Sequence, residues 1–250
     1  MRLRWAVVVA VVMALSGCGH QVTGLSKPNG GNVVASGETL LRFETATVPD
    51  FNNVKYLIVI NATGDGQVPT AQGSNSNYRE WSYAFFVGGG PGFVNTPDVE
   101  QYYQDPSAAG GVNHRQIFPP TGTLTFSLVN GNGNVFGFDI RFNRCILDFP
   151  SPVNTTGSPT PPPSPHPVGS LCPPFFYIAS PTWTMNIFTV DNTITAVDSL
   201  GNGPSDTSYP GFTLNTAGMI VDQSYHKPAG VTTPQAPAAQ VTGIEAWSQP

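Results

Sequence analysis

Few residues of this chain have the type and spacing for acid–base or metal chemistry. Its histidines are His20, His114, His166 and His226. His20 lies in a glycine-rich stretch and His166 in a proline run, so a zinc site or a Ser–His–Asp triad could draw only on the other two. Those two flank segments typical of loops, where a histidine is most often solvated. The sequence therefore predicts no catalytic residue, no metal ligand and no cofactor.

Paired carboxylates would offer a second chemistry, the acid and nucleophile or base of a glycosidase. Glu80 beside Trp81, or Asp98 with Glu100, could supply such a pair, but no spacing selects either of them. The GxSxG, HExxH, CxxC and phosphate-binding glycine motifs are all absent from the chain. The sequence does not single out a reaction.

Aromatic residues near loops rich in Asn, Gln and Ser indicate binding rather than catalysis. Tyr78, Trp81, Tyr102 and Tyr103 have this setting. Aromatic faces beside amide side chains stack on sugars or anchor a protein partner. We take these four residues as the candidate ligand surface, while noting that aromatic residues on strands more often belong to a core.

The N-terminus predicts export and a membrane anchor. Arg2 and Arg4 precede an apolar run of about 11 residues, which is typical of a signal peptide and shorter than the roughly 20 residues of a spanning helix. The residues that follow, Leu15-Ser16-Gly17-Cys18, resemble the lipobox of bacterial lipoproteins. That resemblance implies a signal peptide over residues 1–17 and a lipidated Cys18 as the mature N-terminus.

The polar stretch 18–37 then predicts a flexible tether between the lipid and the folded domain. By the same resemblance, an Asp directly after the lipidated cysteine tends to retain a lipoprotein at the inner membrane. This chain has Gly19 there. We therefore expect a location in the cell envelope, at the outer membrane or the cell surface.

Two further cysteines, Cys145 and Cys172, lie on either side of a proline-rich segment. An exported protein folds where disulfides persist, so the simplest prediction is one bridge between them. A bridge needs Cα atoms about 4.4–6.8 Å apart, which would make residues 149–174 a closed loop of one domain. The alternative is two unpaired cysteines and a domain boundary near residues 150–174.

Alternation of apolar and polar residues is clearest over residues 123–143, where an Asn/Gly run divides two strands. This pattern predicts a β-hairpin with one buried face. Pairing Val129 with Val135 puts Leu128 opposite Phe136, Phe126 opposite Phe138 and Leu124 opposite Ile140, all on that face, because a slip of one residue would turn one strand over. Asp139 and Arg141 then lie on the outward face, where we expect a surface ion pair.

Similar patterns predict strands over residues 39–45, 54–61, 81–87, 182–190, 193–200, 218–225 and 240–247. The nearly continuous apolar run 54–61 predicts a central strand. Residues 96–104 fit either a short helix or an edge strand. Together these segments predict an all-β protein. We expect a single β-sandwich-like domain over residues 38–250, with roughly nine or ten antiparallel strands and long loops.

The net charge of the chain limits the classes of partner that it can bind. The net charge is −5 with no basic run, which argues against a nucleic-acid partner because phosphates need clustered Lys and Arg. We therefore expect a lipid-anchored cell-envelope protein of a non-catalytic binding or structural type, with a protein or glycan partner. The alternative is a carbohydrate-binding module or a carbohydrate-active β-sandwich enzyme.

Overall fold

A computed structural model of the chain describes residues 34–35, 37–70, 81–90, 96–105, 107–108, 111–119, 121–130, 135–147, 182–191, 196–201, 212–215, 221–227 and 236–248. These residues all lie in one compact unit, Val34–Pro250. They form twelve strands in two antiparallel sheets, which confirms the prediction of an all-β, sandwich-like fold. Within the described part, no helix is long and apolar enough to cross a membrane.

The first sheet has five strands in the order β11 (Val221–His226), β12 (Val241–Ser248), β1 (Glu38–Thr45), β7 (Phe136–Asn143) and β6 (Leu124–Asn130). The second sheet has seven strands, of which six follow the order β10 (Phe212–Asn215), β8 (Thr182–Val190), β2 (Lys55–Asn61), β3 (Tyr83–Gly88), β4 (Asp98–Gln104) and β5 (Val112–Ile117). The seventh strand, β9 (Ala196–Ser199), also pairs with β8. Two 3-10 helices, Arg144–Ile146 and Pro237–Ala239, are the helical segments among the described elements.

The main core lies between the facing sides of the two sheets. Phe43 of β1 stacks on Phe138 of β7 with ring centres 5.0 Å apart, and Tyr56 of β2 meets Phe43 edge-on at 5.4 Å. Tyr56 carries a polar group into this core, and its hydroxyl donates to the Ala238 carbonyl at 2.8 Å. Burial raises the pKa of Tyr56. The aromatic contact between Phe43 and Tyr56 therefore connects the two sheets, and the buried Tyr56 hydroxyl has a hydrogen-bond partner.

The predicted hairpin is present as β6 and β7, but its predicted pairing was wrong by two residues. Leu128 pairs with Phe138, and Phe126 pairs with Ile140. The shift is even, so the apolar residues still share one face. On β7 that face is buried at Phe138, Ile140 and Phe142, whereas Leu128 on the edge strand β6 remains 54% exposed.

The other strand predictions were mostly confirmed. The run 54–61 is β2, a central strand that is buried from Tyr56 onward. Residues 96–104 contain β4, which lies inside the sheet between β3 and β5, so neither a helix nor an edge position was right. The strands predicted over residues 182–190 and 193–200 correspond to β8 and β9, in which Val190 pairs with Ala196. The strands β5 and β10 were not predicted, and they raise the total from ten to twelve.

Candidate functional site: a charge cluster on the five-stranded sheet

The outer face of the five-stranded sheet carries four charged side chains that are almost fully buried, with the exposed His226 beside them. Register places Arg42 of β1 opposite Glu245 of β12 on one side and Asp139 of β7 on the other. Side chains two residues apart on a strand share a face, so Glu44 follows Arg42 in the next row. There Glu44 faces Gly243 and Gly137. We call the side chains of Arg42, Glu44, Asp139, Glu245 and His226 the charge cluster.

Arg42 is the centre of the charge cluster, and its side chain is only 6% exposed. Its Nε and Nη2 donate to the two oxygens of Asp139 at 2.8 and 3.1 Å, and its Nη1 donates to Glu245 Oε2 at 3.3 Å. The guanidinium also lies 5.3 Å from the centre of the Trp247 ring. Burial by itself would lower the pKa of Arg42, but the hydrogen bond and charge of Asp139 and the charges of Glu245 and Glu44 outweigh it and raise the pKa.

Glu44 makes polar contacts through only one of its two carboxylate oxygens. Its Oε2 lies 3.0 Å from His226 Nδ1 at the end of β11, and its side chain is 5% exposed. Its other oxygen, Oε1, is buried without a hydrogen-bond partner. Burial raises the pKa of Glu44, and this effect outweighs the opposing influence of His226 and Arg42. A buried carboxylate oxygen without a partner is costly, so this atom marks the place where the charge cluster is incomplete.

Gly243 makes room for the contact between Glu44 and His226. It pairs with Glu44 on one side and with His226 on the other. A Cβ at this position would lie 2.7 Å from Glu44 Oε2 and 2.8 Å from His226 Nδ1. Real side chains do not approach so closely, so any residue larger than glycine would push the carboxylate and the imidazole apart.

The charges of the cluster do not balance. Three carboxylates, those of Glu44, Asp139 and Glu245, face one guanidinium. With all three carboxylates ionised and His226 neutral, two negative charges remain. Glu44, Glu245 and His226 each offer one potential metal-ligand atom, and these atoms all lie within 4.8 Å of one another. The arrangement is therefore suited to holding a cation.

Two of the four residues predicted to form the ligand surface, Trp81 and Tyr102, are buried. Trp81 and Tyr102 are buried in a second apolar cluster on the outer face of the seven-stranded sheet, with ring centres 5.3 Å apart. Tyr103 is half-buried, and Tyr78 lies outside the described residues. The Trp81 indole donates to the Thr70 carbonyl at 2.7 Å, in the loop that follows β2. Ligand binding by these four residues remains a prediction.

The remaining candidates for chemistry are separated from one another. His114 on β5 lies 3.2 Å from Glu100 on β4, and Glu100 also accepts a hydrogen bond from the Tyr102 hydroxyl at 2.9 Å. His226 is on the other sheet, so the two histidines do not meet. Asp98 accepts a hydrogen bond from Gln116, and Glu80 lies outside the described residues.

The expected surface ion pair between Asp139 and Arg141 was wrong. Asp139 is buried and bound to Arg42, while Arg141 lies 3.9 Å from Glu38. The reason is register, because β1 brings Arg42 directly opposite Asp139. A cross-strand guanidinium that reaches both carboxylate oxygens is a better partner than an arginine two residues away along the same strand.

The predicted covalent sites lie mostly outside the described residues. Cys145 is in the 3-10 helix that follows β7, while Cys18 and Cys172 are not described. Lipidation of Cys18 and the Cys145–Cys172 bridge therefore remain predictions. Arg42, Glu44 and Glu245 were not singled out from the sequence. The signal available there was the charged pair Arg42 and Glu44 on one face of a predicted strand.

Comparison of this chain with protein-family models, with curated proteins and with solved structures found no match.

Proposed function

We propose that the protein is a lipid-anchored component of the cell envelope that acts by binding, with Cys18 as the anchor. The observation that carries this proposal is the sequence Leu15-Ser16-Gly17-Cys18 at the end of a short apolar run preceded by Arg2 and Arg4. Two or more acyl chains hold a protein on a membrane stably, whereas one chain is marginal.

The position of the first strand is consistent with such an anchor. β1 begins at Glu38, so roughly 20 residues separate Cys18 from the sandwich. A flexible chain of that length has an end-to-end distance of about 25 Å. That distance would let the domain reach a partner at the membrane surface without touching the lipid.

The charge cluster favours binding over hydrolysis. A glycosidase needs two carboxylates that a sugar can approach. Glu44, Asp139 and Glu245 are grouped, but all three are buried, and Arg42 holds two of them. Substrate could not reach these carboxylates without a rearrangement of the ion pairs. We therefore prefer a binding role, with a protein or a glycan as the partner, to the carbohydrate-active alternative.

Metabolic labelling with an alkyne fatty acid tests the anchor. The full chain, produced in a bacterium that processes lipoproteins, should carry label and fractionate with membranes. Cys18→Ser should lose both properties. The double variant Cys145→Ser/Cys172→Ser is the matched control, because Cys18 is then the only cysteine left and should keep the label.

Label that persists in Cys18→Ser, or an unlabelled wild-type protein, would refute the anchor. The binding role has a separate test. Hydrolysis of polysaccharide substrates by the wild type that disappears in Glu44→Gln and Glu245→Gln would establish an enzyme instead.

A further inference from the structure

We propose that Glu44, Glu245 and His226 bind a divalent first-row transition-metal ion on the outer face of the five-stranded sheet. The three residues come from three neighbouring strands, β1, β12 and β11, so the backbone ladder fixes their relative positions. This site does not depend on the anchor at Cys18 or on the identity of any macromolecular partner.

Distances between the donor atoms suit one ion. His226 Nδ1 and Glu44 Oε2 are 3.0 Å apart, close to the roughly 3–3.5 Å between two donors that share an ion at about 2.0–2.2 Å. No pair of donors in the group exceeds 4.8 Å. Rotation of the carboxylate side chains, by about 1 Å at the most distant donor, would bring all three donors to one ion.

The unpartnered oxygen of Glu44 is an independent sign of a missing ligand. Oε1 is buried without a hydrogen-bond partner, on a side chain that is 5% exposed. Its neighbour Oε2 already lies against His226, so the carboxylate is directed into the group of donors. Native proteins rarely leave a buried polar atom unsatisfied, and a metal ion held by both oxygens of this carboxylate would supply the partner that Oε1 lacks.

Charge also favours a divalent cation. The cluster carries two excess negative charges when His226 is neutral, the form in which histidine binds metals. Arg42 offsets one of the three negative charges, and two of its hydrogen bonds go to Asp139, which is not one of the three proposed ligands. Its contact with Glu245 Oε2 at 3.3 Å orients that carboxylate, as hydrogen-bonded neighbours commonly orient metal ligands.

Space and access at the site also suit a bound ion. Gly243 allows Glu44 and His226 to approach each other, because a Cβ there would lie 2.7 Å from Glu44 Oε2 and 2.8 Å from His226 Nδ1. His226 is 54% exposed, so an ion and a completing water molecule can approach from that side. One imidazole with two carboxylates suits zinc, manganese or iron, whereas calcium and magnesium prefer sites made entirely of oxygen.

The test uses the full chain, purified in detergent and stripped of metal with a chelator. Calorimetric titration with Zn²⁺ should show one tight site, and the same titration with Mg²⁺ should show none at comparable concentration. Addition of Co²⁺ should produce visible absorption bands of a cobalt ion bound to protein ligands. His226→Ala and Glu44→Gln should each weaken Zn²⁺ binding by about a hundredfold and abolish those bands.

His114→Ala is the matched control. His114 is also exposed and also lies beside a glutamate, Glu100, but on the other sheet. It should leave binding unchanged. Circular dichroism of each variant separates loss of metal binding from loss of fold, and exposed His226 can be removed without opening the core.

Absence of Zn²⁺ binding by the folded wild type would overturn the proposal. The contact between His226 and Glu44 would then be an imidazole–carboxylate pair with no metal. Binding that survives in both His226→Ala and Glu44→Gln would also overturn it, because the metal would then lie elsewhere. Equal affinity for Mg²⁺ would refute the assignment to transition metals.

Discussion

Replacing Arg42 by methionine should lower the free energy of unfolding by about 3–5 kcal/mol. The side chain is 6% exposed and makes three hydrogen bonds to two carboxylates that are equally buried. Methionine fills much of the same volume, so the loss would come mainly from leaving Asp139 and Glu245 charged and unpaired. For a domain of this size, the loss corresponds to a fall in melting temperature of roughly 6–20 °C.

Urea denaturation followed by tryptophan fluorescence measures the effect, with Arg141→Met as the matched control. Arg141 lies on the same face, but it is 30% exposed and 3.9 Å from Glu38. An exposed pair of this kind contributes about 0–1 kcal/mol. The two arginines therefore separate the effect of a buried charge from that of losing any arginine on this sheet.

A triple variant tests the physical cause. Arg42→Met combined with Asp139→Leu and Glu245→Leu removes all three charges together. Replacing a buried ionic triad by apolar residues is often neutral or stabilising by about 1–4 kcal/mol, so the triple variant should recover most of what the single variant loses. If the triple variant is no more stable than Arg42→Met, the loss arises from packing. If Arg42→Met costs no more than Arg141→Met, the cluster is hydrated in solution and the expected cost of unpaired buried charge is refuted.

Two further predictions concern the steric effect of alanine at two glycine positions and the pH dependence of stability. Gly137→Ala should destabilise by about 3 kcal/mol or more, because the new Cβ would lie 1.9 Å from the Phe43 carbonyl oxygen. Gly122→Ala also has a positive φ but open space, so thermal unfolding should show a loss of only about 1–2 kcal/mol. Hydrogen bonds, led by that from Ser107, lower the pKa of Asp105. Its contribution to stability is therefore present above its unfolded pKa of about 3.9 and is lost as pH falls toward the folded value. The stability difference between wild type and Asp105→Asn should be constant above about pH 5 and shrink as the pH falls below it, and a difference that stays constant at low pH would contradict this origin.

The strands that could be predicted from the sequence are those whose own residue pattern indicates burial. β7 alternates apolar residues with glycine or polar residues, and β2 is a continuous apolar run from Tyr56 to Ile60. By contrast, β5 has the sequence VNHRQI and β10 has only four residues. Neither has a strong pattern of its own, because each forms on an edge that a neighbouring strand provides. Local residue types cannot reveal a strand whose stability comes from its neighbour.

The charge cluster could not be predicted from the sequence for a related reason. Arg42 and Glu44 alternate with Leu41 and Phe43, as solvated residues on the outer face of a sandwich would. Their burial and their partners depend on the register of β1 with β7 and β12. An error of two residues, such as that in the predicted hairpin, would have paired Arg42 with the wrong residue even if both strands had been known.

The position of β1 has a consequence for how the chain must fold. This first strand pairs with the last one, β12, and a side-chain hydrogen bond joins Thr39 to Ser248 across 209 positions of sequence. Contacts between such distant segments form slowly, because a long loop must close before they are made. The five-stranded sheet cannot be completed until β12 has been synthesised, so β1 lacks one of its two neighbouring strands until then. Removing β12 should therefore prevent folding altogether.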